Sequence, residues 1–137
     1  MCIRDRASPY SVDDAAALAR GAQVFATYCQ VCHGDAGLGD GPVSLRGFPA
    51  PPSLLAEKAR TMADGQIFHL LTFGQNNMPA YAAQIPRADR WRAVLHVRRL
   101  QAAGAAPAAP ASPPAGAGAE SLLTGATRNE APAPRGS

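Results

Sequence analysis

Tyr28-Cys29-Gln30-Val31-Cys32-His33-Gly34 constrains this chain more than any other stretch. Two cysteines two residues apart, followed directly by a histidine, form the attachment signature of a c-type haem. On a helical turn the thiols lie on one side, where each can form a thioether to a porphyrin vinyl group. His33 can then place an imidazole nitrogen on the iron. The pair also reads as a zinc half-site or a redox dithiol. A zinc site of this kind calls for a second Cys/His pair, which the chain lacks. A thioredoxin-like motif calls for a surrounding βαβ pattern, and no strand-like alternation occurs between residues 13 and 103. The motif therefore implies one covalent haem c, tethered by Cys29 and Cys32 and ligated by His33.

The chain has 137 residues, enough for one domain. Its 47% hydrophobic content is inflated by alanine, and it has only four Phe and one Trp. So few large side chains make a marginal core, which usually needs a staple or a cofactor. The net charge of +3 comes without a basic tract or aromatic–basic interleaving, so nucleic acid is not an expected partner. Cys2 is the third, unassigned cysteine. No stretch is apolar and long enough to span a bilayer, and the first residues lack the apolar region of a signal peptide. Haem attachment of this kind takes place outside the cytoplasm. Residues 1–10 therefore read as a leader of artefactual or truncated origin, with lipidation of Cys2 as the alternative.

Ser11-Val12-Asp13-Asp14 has the form of an N-cap with negative charge in the first turn. The helix that follows sets Leu18, Gly21, Phe25, Tyr28 and Cys32 on one face. Gly21 reads either as a helix-crossing residue or as a tolerated surface glycine. Residues 34–52 are rich in Gly and Pro and read as a loop. Ser53 is expected to cap a short helix to Arg60, and Asp64 a second one carrying Ile67, Phe68, Leu70 and Leu71. Gly74 stops that helix. Residues 75–81 read as an extended loop. The last helix starts near Pro86 and ends near Ala103-Gly104. Ala93, Val97 and Leu100 form its main face, Trp91 and Leu95 a second stripe, with Arg92 and Arg99 opposite. Residues 11–103 form the domain. Residues 104–137, mostly Ala, Pro, Gly and Ser at first, read as a disordered tail or linker.

An iron bound by one histidine has a free sixth position. Met78, Met62, His69 and His96 are the candidates, besides an open site. Met78 is selected because it lies in a proline-flanked loop that can hold a thioether rigidly, with Tyr81 steadying the loop through its hydroxyl. Met62 reads as a core gap-filler, and His69 falls inside a helix.

Together, Cys29-Gln-Val-Cys-His-Gly34, the Gly/Pro loop, Met78-Pro-Ala-Tyr81 and a final Trp- and Arg-bearing helix resemble a class I cytochrome c over about residues 13–102. More narrowly, Phe48-Pro-Ala-Pro-Pro-Ser-Leu54, Asp64-Gly-Gln-Ile-Phe-His69, Phe73-Gly-Gln-Asn-Asn-Met-Pro-Ala-Tyr81 and Gln84-Ile-Pro-Arg-Ala-Asp-Arg-Trp91 resemble the monohaem cytochrome c subunit of alternative complex III, a quinol oxidoreductase. The resemblance implies a small all-α fold wrapped around the haem, with first and last helices crossing at Gly21 and Phe25. The usual aromatic partner is replaced by His96 beside Ala93, so a looser or more polar crossing is expected. The resemblance also implies that Pro42 offers its carbonyl to the non-ligating nitrogen of His33, and that Arg46 can pair with a haem propionate. Tyr81 and Trp91 complete the expected haem contacts.

The implied function is one-electron transfer in a bacterial respiratory chain, at the periplasmic or extracytoplasmic face of the membrane. The protein is then an electron carrier rather than an enzyme in its own right. Its expected partners are redox proteins or other subunits of a membrane complex, with membrane association only through a partner or a missing anchor. The competing readings are a haem catalyst or gas sensor with an open distal site, a bis-histidine low-potential carrier, and a structural haem domain.

Overall fold

A computed structural model describes residues 2–105 of the chain. The expected tail otherwise lies outside the described residues. Among the described residues five α-helices follow in order: α1 Ala15–Tyr28, α2 Gln30–His33, α3 Glu57–Arg60, α4 Asp64–Phe73 and α5 Arg87–Ala105. Among the described residues no strand forms, and an isolated bridge joins Gln75 to Met78. The all-α expectation holds.

α1 begins later than expected. Asp14, not Ser11, is its N-cap, accepting the Ala17 N–H at 2.9 Å. Ser11 instead closes a local turn onto the Asp13 N–H. α1 crosses α5 at Gly21, where a Cβ would overlap the Arg92 carbonyl and sit 3.3 Å from His96 Cβ. Gly21 is therefore the crossing residue, since only a missing side chain allows backbones this close. Beside it the rings of Phe25 and His96 lie 5.0 Å apart. The crossing is close rather than loose. It is polar at its edge, where buried Asp89 accepts from Arg20 and Arg92, each at 2.7 Å. Arg92 thus faces α1 and is not on the outside of α5.

α5 is the central element. Val94 is fully buried, and Trp91, Ala93, Leu95 and Val97 are nearly so. One cluster joins Trp91 and Val94 to Val24, Phe68, Leu71 and Ile85. Trp91 stacks on Phe68 at 4.2 Å, and the Arg90 guanidinium lies 5.1 Å from the Phe68 ring centre. A second cluster gathers Phe25, Cys29 and Val97. It carries the attachment motif directly on the α1–α5 contact.

Two further caps differ from expectation. Ser53 accepts the Leu55 N–H, and the short helix starts only at Glu57. Asp64 is the first residue of α4 rather than its cap. Its carboxylate takes the Ser8 N–H at 2.9 Å and Arg98 Nε at 2.7 Å. In both cases a distant partner decides the side chain's bond, which local pattern does not reveal. Residues before the expected domain start also pack on the domain: Ile3 and Tyr10 lie against the first cluster.

Candidate haem site

The helix carrying the motif breaks at Cys29, which separates α1 from α2 and has a φ of -108. The Cys32 and His33 N–H groups both bond to the Cys29 carbonyl, at 3.1 and 2.9 Å. This one-turn α2 ends at Gly34, with φ 75. The Gly/Pro loop then folds back on it. The Gly39 N–H reaches the His33 carbonyl at 2.8 Å, and the Gly41 N–H the Cys32 carbonyl at 3.1 Å. These bonds satisfy carbonyls that a helix end leaves unpaired. A Cβ at Gly41 would sit 2.6 Å from the Cys32 carbonyl carbon, so this close return requires glycine.

Cys29 is buried and Cys32 half-buried. Burial, with Cys32 close by, pushes the Cys29 thiol up to about 12. A reactive dithiol needs a partly accessible, easily ionised thiol. Cys29 has the opposite character, which weighs against the redox-dithiol reading. No group of three or more His, Cys, Asp or Glu among the described residues is arranged to hold a metal ion. Burial lowers the His33 pKa, keeping the imidazole neutral, the form that ligates iron.

The residues present fit a covalently attached haem. His33 is half-buried beside the two cysteines, and burial lowers its pKa. Val31, Leu38, Leu45 and Phe48 are exposed although strongly apolar, Leu45 at 88%. All four lie in the motif or the loop after it, as expected where an apolar plate completes the packing.

The bond expected from His33 to the Pro42 carbonyl is not formed, and Pro42 is exposed. The loop docks through the N–H donors of Gly39 and Gly41, and no bond joins Pro42 to the imidazole. Trp91 lies in the core, 4% exposed, with its ring stacked on Phe68. Arg46 is exposed at the end of a single 3-10 turn and has no carboxylate partner among the described residues.

Tyr81 is brought to the attachment motif. Its hydroxyl donates to the Tyr28 carbonyl at 3.4 Å, and the two rings meet edge-on at 6.2 Å. Burial, then the nearby Cys29 and Cys32, raise its phenol above the ordinary value. Met78 packs against the first cluster along with Tyr28 and Tyr81. Its loop is a tight turn rather than an extended segment. Gln75 and Met78 exchange N–H···O bonds of 3.0 and 2.9 Å around Asn76, whose φ is 52. Gly74 seals the turn: its φ is 75, and a Cβ there would lie 3.0 Å from the Ala80 nitrogen.

The other distal candidates face elsewhere. Met62 and His69 line a groove of about 520 Å³ with Arg4 and Gln66. His69 Nε2 lies 3.0 Å from Arg4 Nη2. The His96 ring is held against Phe25 at the crossing. Sequence reading missed Tyr28 and the Arg20–Asp89–Arg92 cluster. The break at Cys29, which exposes the Tyr28 carbonyl, leaves no residue-level signal.

No curated protein matches the chain. Among solved structures it is similar to a chain of a reducing HAO-like protein complex of Kuenenia stuttgartiensis, with 24% identity and a TM-score of 0.55. The match covers 66% of this chain and 49% of the other, so this chain spans about half the length of that structure. At this identity the likeness supports the fold alone. The family model described as cytochrome c oxidase, cbb3-type, subunit III matches residues 16–97, from α1 through the motif and the Met78 turn into α5. The chain belongs to that cytochrome c family, and so carries covalently bound haem c for electron transfer.

Proposed function

We propose that the protein is a one-electron carrier with one haem c ligated by His33 and Met78. The bound haem supplies the reversible iron couple; a thioether ligand raises its potential relative to two imidazoles. Cys29 and Cys32 tether it, and burial of His33 keeps a neutral imidazole available. The observation that carries the reading is the closed Gln75–Met78 turn. It holds the thioether-bearing residue against the core cluster on which Tyr28 and Tyr81 also pack, while His69 and His96 are engaged elsewhere. Filling both axial positions leaves no site for a substrate, which favours electron transfer over catalysis or gas sensing.

The carrier reading extends to a bacterial respiratory chain. There the domain serves as a subunit of a membrane quinol oxidoreductase of the alternative complex III kind, at the periplasmic face. The motif resemblance supports this. Met78→Ala tests the ligand assignment. It is expected to abolish the far-red sulfur–iron band, lower the midpoint potential and admit carbon monoxide or cyanide. Met62→Ala is expected to do none of these. The reverse pattern would make the Gln75–Met78 turn a docking feature, and no change in either variant would turn attention to the histidines.

A further inference from the structure

In an uninterrupted helix the Tyr28 carbonyl would accept the Cys32 N–H. Here the break at Cys29 diverts that N–H to the Cys29 carbonyl, at 3.1 Å. The Tyr28 carbonyl is taken instead by the Tyr81 hydroxyl at 3.4 Å, a long bond supported by the edge-on contact of the two rings. The Tyr81 backbone is anchored separately, its N–H donating to the Leu71 carbonyl of α4 at 2.9 Å. Its own carbonyl receives the Ile85 N–H, also at 2.9 Å. One residue therefore joins the end of α1, the middle of the fold and the segment that carries Met78.

We propose that Tyr81 is a positioning residue. By binding the carbonyl freed next to Cys29, its hydroxyl latches the Met78 turn to the thiol-bearing helix and sets how readily Met78 leaves the iron. The second half rests on the His33/Met78 reading. The first half does not. The latch acts on the distal ligand through the chain, so the attachment helix and the ligand turn move as one unit. Because the hydroxyl makes the bond to Tyr28 O, removing it isolates the latch. The ring and both backbone bonds remain.

The test uses the haem-loaded full chain and Tyr81→Phe. Amide hydrogen exchange at Gln75 and Met78 is read first, because it reports the turn whatever the iron binds. Exchange should quicken in Tyr81→Phe. Imidazole binding to the oxidised protein is read second, at saturating imidazole, where the rate is that of Met78 departure. Loss of one neutral hydrogen bond should raise this rate roughly 2- to 10-fold. Tyr81→Ala, which also removes the ring, should raise both further if it folds. Unchanged exchange in Tyr81→Phe overturns the latch. Faster exchange with an unchanged imidazole rate overturns its control of the ligand. A wild-type protein without the far-red band, but with faster exchange in the variant, keeps the latch and refutes Met78 ligation.

Discussion

Replacing Gly21 with alanine turns the helix crossing into a measurable sign. On an open helix surface Gly→Ala stabilises by about 1 kcal/mol, because alanine is the better helix former. At Gly21 the added Cβ would overlap the Arg92 carbonyl oxygen and lie 2.8 Å from its carbon. The neighbour is backbone, so no rotamer change relieves the contact, and α1 must move away from α5. Ala17, Val24 and Phe25, each only 3% exposed, would lose contact as it did. Overpacking of this kind costs about 1–3 kcal/mol, and a backbone clash belongs at the upper end. Setting about 3 kcal/mol against about 1 kcal/mol of helix gain leaves a net loss of about 2 kcal/mol. For a domain of this size that lowers the melting temperature by roughly 8–16 °C. Thermal and urea unfolding of the haem-loaded protein, followed by far-ultraviolet circular dichroism, measure it. Ala26→Gly, on the exposed face of α1, is the control and should cost about 1 kcal/mol. If Gly21→Ala raised the melting temperature, the close crossing would be refuted.

Two further variants test the buried contacts. Asp89 is 5% exposed, and its hydrogen bond from Arg20, with a second from Arg92, holds its carboxyl below the usual range. Its contribution is therefore fully present above the ordinary aspartate value of about 4 and is lost as pH falls through the depressed folded value. Asp89→Asn should cost about 1–3 kcal/mol at neutral pH and flatten the acid limb of the stability profile; parallel profiles would remove Asp89 from the account. Trp91→Ala should cost about 3–5 kcal/mol, while Trp91→Phe should retain most of the stability and leave the visible spectrum unchanged. A shifted haem spectrum in the phenylalanine variant would support Trp91 as a haem contact.

The features readable without the fold are those whose chemistry is local. Cys29, Cys32 and His33 declare haem attachment through spacing alone, since two thioethers and an axial imidazole need those residues within one turn. The helical step of Gly21 and Phe25 marked the α1 face, and Gly74 ended α4 because a left-handed residue there favours glycine. Long-range contacts decided the rest. Asp14 rather than Ser11 caps α1, and Asp64 binds Ser8 and Arg98 rather than its own helix. Trp91 stacks on Phe68, and the Gly39–Gly41 return docks by its N–H groups with no bond from Pro42 to His33. The Tyr28–Tyr81 bond exists because the helix breaks at Cys29 and a segment some 50 residues later supplies the donor. A side chain with several possible hydrogen-bond partners takes the one that packing brings near, and packing is a property of the whole chain.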